Sequence, residues 1–254
     1  GISFEKCLAD AQRLGYAEAD PTFDIEGNDT AHKLAILTSL AFGTEIADDN
    51  IYMEGITSIT TADIQAADEL GYRIKLLGVA QMTGRGLEQR MAPCLVPAHS
   101  PLGQLEGGTN MVVIEGSDVG QIVLRGAGAG EGPTASAVMG DICDIARGLR
   151  LPVFGQPAAT LATAPRASAA VPAPYYLRMA LHDKPGALAK IATVLGDAGI
   201  SIHRMRQYDH ADDQAPVLIV THKTTRGALD QALAAMDATG VVTESPVALR
   251  IESV

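Results

Sequence analysis

The chain has 254 residues, 47% of them hydrophobic and 19% charged, with no tryptophan and only 4% aromatics. That length suits two or three domains around aliphatic cores and excludes global disorder. A formal net charge of -11 without any Lys/Arg run excludes a nucleic-acid binder, which needs a basic face. It fits solubility, or a substrate that carries an ammonium group.

Cys7, Cys94 and Cys143 are odd in number, widely spaced and without a Cys-x-x-Cys pair. This points to a reducing, cytoplasmic setting and against a disulfide frame or thiolate zinc site. No apolar run approaches the roughly 20 residues that span a membrane. No signal-peptide pattern opens the chain. Phe4, Cys7, Leu8, Ala11 and Leu14 recur at helical spacing directly after Gly1, which predicts a helix over 1–14 and a chain that begins inside a larger protein.

A loop rich in acids follows over Gly15–Gly27, with Pro21 as a breaker. The next helix is expected from about Asp29 to Phe42, with Asn28 and Asp29 capping its start and Gly43 ending it. Leu34, Ile36, Leu37, Leu40 and Ala41 are its expected core residues. Thr61–Leu70 reads as a further helix, with Gly71 just beyond it. The period then changes. Tyr72–Gln81, Leu87–Val96, Asn110–Gly116 and Gln121–Gly126 are short apolar or alternating segments separated by glycine-containing turns, which predicts a largely antiparallel sheet. A glycine-rich loop, Gly126–Gly132, feeds a helix from Pro133 to about Leu149. Residues 155–174, GQPAATLATAPRASAAVPAP, are the clearest linker, since they are rich in Ala and Pro, nearly uncharged and without a strong amphipathic period. Beyond it, strands at Tyr176–Leu181, Ile200–Tyr208, Val217–His222 and Val241–Ile251 alternate with helices at Pro185–Ala198 and Arg226–Ala238. The order is βαββαβ, a split ferredoxin-like arrangement. The expected fold class is α+β, with a first domain over 1–150, a linker over 151–174 and a second domain over 175–254.

Three constellations carry chemistry. GYAEADPTFDIEGNDTAHK spans Gly15–Lys33 and sets Glu18, Asp20, Asp24, Glu26 and Asp29 ahead of one lysine. Asp29 and Lys33 are four apart and share a helix face. Two readings fit: an exposed salt bridge beside a solvated acidic loop, or a pocket whose carboxylates hold a substrate ammonium while the lysine acts on a nearby oxygen.

This segment resembles the signature of homoserine dehydrogenases through Glu18, Asp20, Pro21, Asp24, Gly27, Asp29 and Lys33, with spacing kept; Asn28 stands where many members carry an apolar residue. The resemblance implies a nicotinamide-dependent conversion between aspartate semialdehyde and homoserine. It implies catalytic roles for Lys33, as proton donor, and Asp29. It also implies substrate binding by Glu18 and Asp24. A cation that protonates the developing alkoxide, and carboxylates that grip an ammonium, form a coherent site.

The second constellation, RGAGAGEGPTASAV over Arg125–Val138, fails both the G-x-G-x-x-G and the Walker spacing. From the residues, it is a tight strand-to-helix turn or a bare helix start facing a cofactor. It again resembles homoserine dehydrogenases, and the resemblance places Gly128 and Gly130 near the nicotinamide end of NADP or NAD. The phosphate-binding fingerprint and the family's metal loop are expected upstream, so no metal is assigned here.

The third constellation is LHDKPGALAKIATVLGDAGISIHRM over Leu181–Met205. Its turn enters a helix that Asp183 could cap, and Gly186 permits close backbone approach. It resembles the ACT domain, a small amino-acid-binding module. That resemblance implies effector binding at Asp183, Gly186 and Ala187, with threonine the natural effector. Homoserine dehydrogenases also pair through the sheet of the first domain, so the resemblance implies a homodimer or tetramer. The alternative is a non-catalytic amino-acid-binding or dimerisation fragment.

Overall fold

The computed structural model describes residues 2–15, 17–208 and 213–253. The chain divides into two compact units. One comprises residues up to Ala92 together with Pro97–Ala167, and the other Pro93–Val96 together with residues from Ser168 to Ser253.

In the first unit, α1 (Phe4–Arg13) is capped by the Ser3 hydroxyl, which accepts from the Lys6 N–H. Helices α2 (Thr22–Ile25) and α3 (Asn28–Phe42) follow, then the two-residue strand β1 (Tyr52–Met53), α4 (Thr61–Glu69) and the long strands β2 (Tyr72–Thr83) and β3 (Gly86–Pro97). Strand β3 is the hub. It pairs with β2, and β1 lies parallel to it, with Tyr52 opposite Arg90 and Met53 opposite Met91. Helix α4 opens with a full capping box: the Thr60 hydroxyl accepts from the Asp63 N–H while the Asp63 carboxylate accepts from the Thr60 N–H. Both ends of that first turn are thereby satisfied, which suits the full burial of Asp63.

Helix α3 meets the sheet through Ala31, Leu34 and Ala35, which pack with Ile51 and Met91. The expected core face was different. Leu34 is buried, but Ile36, Leu37 and Leu40 are 48%, 41% and 46% exposed. The buried stripe runs 31, 34, 35, 38, at the i, i+3, i+4, i+7 spacing. Its small side chains let the helix lie close on β2, where a methyl built at Gly78 would lie 3.4 Å from Leu34.

Strands β4 (Thr109–Gly116) and β5 (Gly120–Ala127) form an antiparallel hairpin, in register from Thr109–Ala127 to Gly116–Gly120. It is a separate two-stranded sheet rather than a continuation of β2–β3. Helix α5 (Glu131–Ala146) follows and buries none of its residues. The Ala/Pro-rich stretch does not hang free through 167. The Leu87 N–H donates to Pro165 O and the Ala167 N–H to Leu87 O, both at 2.9 Å, while Ala162 exchanges bonds with Gly43 and Glu45. Low charge there suits backbone pairing as well as it suits a tether.

The second unit has strands β6 (Tyr175–His182), β7 (Ile202–Gln207), β8 (Gln214–Thr221) and β9 (Val247–Ile251), with helices α6 (Ala187–Asp197) and α7 (Arg226–Ala238). This is the expected βαββαβ order. Strand β6 is antiparallel to both β8 and β9, and β7 is antiparallel to β8 with an irregularity at Ile202/Arg204. Cys94 and Leu95 extend this sheet, parallel to Arg250 and Ile251. One face packs Tyr175, Leu177, Met179, Val217 and Ile219 against Ile191, Leu195, Leu229 and Met236 of the helices. Each fully buried aliphatic side chain contributes roughly 1.5–3 kcal/mol.

At the end of β9 the Arg250 guanidinium donates to Glu252 Oε1 at 2.6 Å and to Val171 O at 2.8 Å. Burial pulls its pKa down, but Glu252 and Tyr175 more than offset this and hold it above the usual arginine value.

Candidate active site and effector cleft

The acidic segment is built around Gly27. Helix α2, in the stretch where the acids and Pro21 predict a loop, is one turn long, with Pro21 at its N-cap. The Pro21 carbonyl accepts from the Ile25 N–H at 2.9 Å. Proline thus starts this turn rather than breaking it. Gly27 then adopts φ 80°, ψ 16° and N-caps α3 with no side-chain bond, so Asn28 and Asp29 lie inside the helix instead of capping it. A methyl built at Gly27 would lie 2.0 Å from Met91 Cε and 2.4 Å from Met91 Sδ. Both the left-handed backbone and the contact with β3 therefore require glycine. The Phe23 and His32 rings meet edge-on at 5.4 Å and join the two helices.

From this base Lys33 Nζ donates to Asp29 Oδ2 at 2.6 Å. The side chains are 56% and 44% exposed, so the amine is both oriented and reachable. Asp24 lies in α2 and is half-buried; its carbonyl accepts from the Gly27 N–H at 3.1 Å. Glu18 is exposed, and its carbonyl accepts from Gln12 Nε2 at 2.9 Å. Among the described residues neither the Glu18 nor the Asp24 carboxylate pairs with Lys33. The structure brings Asp29 and Lys33 into contact and sets Asp24 one turn ahead of them. Glu18 remains in the turn before α2. Asp20 is held below the usual carboxylate value by the Thr22 hydroxyl and N–H.

The glycine loop leaves β5 at Ala127. Gly130, at φ 118° and ψ 154°, N-caps α5, again without a side-chain bond, and the helix starts at Glu131, two residues ahead of Pro133. Methyls built at Gly126 or Gly132 would meet nothing within 4 Å, so bare backbone is open to a planar group there. Gly128 differs. A methyl there would lie 2.0, 2.4 and 2.7 Å from Nδ2, Cγ and Oδ1 of Asn110. The sequence reading passed over Asn110. Its one signal was its position across the hairpin from Gly126.

In the second unit an open cleft of about 180 Å³ is lined by Asp183, Gly186 and Ala187, with His182, Lys184 and Gln207 beside them. Gly186, at φ 86°, N-caps α6 with no side-chain bond, which corrects the expectation that Asp183 caps this helix. The Asp183 N–H donates to Asp213 O at 2.9 Å, and this ties the turn to the start of β8. Gln207 was also missed, because it reaches the cleft from β7 across the sheet.

Among the described residues no group of three His, Cys, Asp or Glu side chains could hold a metal ion. No described helix is long and apolar enough to cross a membrane. Cys7 and Cys143 are exposed free thiols, and Cys94 is a buried one.

The family model described as homoserine dehydrogenase matches residues 1–143, and the ACT domain model matches residues 175–240. The chain is 42% identical to a homoserine dehydrogenase of Pseudomonas aeruginosa over 99% of its length and 43% identical to one of Neisseria gonorrhoeae over 100%. It spans 60% of the length of each of these relatives. Among solved structures, a homoserine dehydrogenase from Thiobacillus denitrificans superposes with a TM-score of 0.89 at 42% identity, over 99% of this chain and 59% of that one. One from S. aureus gives 0.72 at 27% identity, over 100% and 60%.

Proposed function

The chain belongs to the homoserine dehydrogenase family, and from that premise we propose that it carries the catalytic and regulatory parts of an enzyme interconverting L-aspartate 4-semialdehyde and L-homoserine. The observation that carries this reading is the contact between Lys33 and Asp29 at the start of a helix seated on β3 by Gly27.

Residues 1–150 form the substrate domain, 151–174 the connection and 175–254 the sensing module. The Lys33 ammonium faces the substrate oxygen, stabilises the alkoxide as it develops and delivers its proton to that oxygen. Asp29 orients the amine through their hydrogen bond. Glu18 and Asp24 hold the substrate ammonium, because an amino-acid aldehyde needs anionic partners at that end.

The open backbone at Gly126 and Gly132 fits the planar nicotinamide end of NAD or NADP, with Gly128 and Gly130 beside it. When bound, that cofactor supplies or accepts the hydride at the oxygen-bearing carbon. The chain's own residues bind, orient and move the proton.

The cleft at Asp183 receives an amino-acid effector, threonine. Asp183 and Lys184 place opposite charges at its rim, which suits the ammonium and carboxylate of a zwitterion. Threonine feedback fits a step on the route to threonine, methionine and isoleucine. The exposed thiols fit a reducing cytoplasm, and the enzyme works as a homodimer or tetramer.

The test is turnover by the full-length polypeptide that contains this chain. Homoserine-dependent reduction of NAD or NADP, inhibited by added threonine, is expected. No turnover with either cofactor overturns the catalytic reading. Turnover indifferent to threonine overturns the effector assignment alone.

A further inference from the structure

Asn110 lies near the open end of the β4–β5 hairpin, across from Gly126. Its whole carboxamide fills the space a side chain at Gly128 would take, with Nδ2, Cγ and Oδ1 all within 2.7 Å of that methyl position. The carboxamide makes no side-chain hydrogen bond among the described residues and Asn110 is exposed. A side chain pressed against backbone, with donor and acceptor both open, is positioned without being consumed by the fold. An amide donor beside an amide acceptor is complementary to a second planar carboxamide, with which it can exchange two hydrogen bonds.

We propose that Asn110 is a binding and specificity residue that pairs its carboxamide with the carboxamide of the nicotinamide ring, and that Gly128 exists to leave room for it. This rests on the reading that the glycine loop faces the cofactor. Gly128 itself does not lie in the left-handed region, so alanine there strains no backbone. The contact it meets is the end of an Asn side chain that can swing away. Gly128→Ala therefore displaces the Asn110 carboxamide and little else, and it should copy Asn110→Ala.

The test is calorimetric titration of NAD and NADP into the full-length polypeptide without substrate, with melting curves as the folding control. Loss of one amide pair weakens binding by about tenfold. Asn110→Ala and Gly128→Ala should each show that loss, and the double variant no more than either alone. An acetylpyridine analogue, which lacks the ring amide nitrogen, should be weakened less. Asn110→Asp keeps the shape, loses the donor and should also bind less tightly, so one poorly folded variant does not remove the test. Cofactor affinity within twofold of the parent in Asn110→Ala, or single losses that add in the double variant, overturns the pairing. In a separate titration of homoserine, matched losses of its affinity with cofactor affinity intact would keep the Asn110–Gly128 contact and overturn the cofactor reading beneath it.

Discussion

Replacing Gly27 by alanine perturbs the joint on which α3, and with it Lys33, is mounted. Gly27 sits at φ 80°, where an L-residue costs roughly 1–2 kcal/mol. The added methyl would lie 2.0 Å from Met91 Cε. Met91 has no exposed surface and is enclosed by Ala31, Leu34, Ala35 and Ile51, so its side chain cannot simply swing out. Overpacking of this kind costs roughly 1–3 kcal/mol, and together the two effects remove roughly 2–5 kcal/mol. Urea denaturation followed by circular dichroism reads the loss, and amide exchange in α3 and β3 localises it, which matters in a chain of two units. Met91→Ala separates the causes. Alone it leaves a cavity, at a cost of roughly 2–5 kcal/mol. Combined with Gly27→Ala, the new methyl occupies part of that cavity, and the double loss falls short of the sum by roughly 1–2 kcal/mol. A Gly27→Ala protein within about 0.5 kcal/mol of the parent, or losses that add, would refute the close approach of Gly27 to β3.

Lys75, whose Nζ donates to Leu105 O, is held below the usual lysine value by burial; Glu106 opposes that shift and Arg73 adds to it. Between that lowered pKa and 10.5 the unfolded chain binds more protons than the folded one. Stability therefore rises with pH through this window. The slope should shrink in Lys75→Met on denaturation at stepped alkaline pH, and an unchanged slope contradicts the assignment. Arg250→Met leaves the part-buried Glu252 without this cation and should cost about 3–5 kcal/mol in the second unit. Most of that should return in Arg250→Met/Glu252→Leu, and a double variant as unstable as the single one would argue against the pair. Asp183→Ala should abolish the thermal shift given by threonine without changing uninhibited turnover; a retained shift removes Asp183 from the cleft's chemistry.

The sequence made local structure legible wherever one short-range rule decided it. Helix α3 was expected over about Asp29–Phe42 and runs Asn28–Phe42; α7 was expected over Arg226–Ala238 and has those bounds. Gly43 and Gly71 stand in the left-handed region just beyond the helices they were expected to follow. Long-range placement was not legible. Helix α2 is a single turn, too short for periodicity to register. β1 has two residues and exists because β3 offers it a parallel edge. The outward turn of Ile36, Leu37 and Leu40 follows from Ala31 and Ala35 docking on Met91, a choice the apolar pattern did not contain. In the candidate site the i,i+4 spacing gave Asp29 and Lys33. Asn110 and Gln207 reach their places across strands, and no spacing along the chain reveals that.

In the proposed reaction the Lys33 amine, oriented by Asp29, acts on the substrate oxygen. As an exposed pair the two contribute little to stability, at most about 1 kcal/mol, whereas a positioned proton donor contributes roughly 10²–10⁴-fold to rate. In the full-length polypeptide, Lys33→Met should therefore melt where the parent does and bind cofactor as tightly, while kcat for homoserine oxidation falls at least about 100-fold. A Lys33→Met enzyme that turns over homoserine within about threefold of the parent would contradict the account.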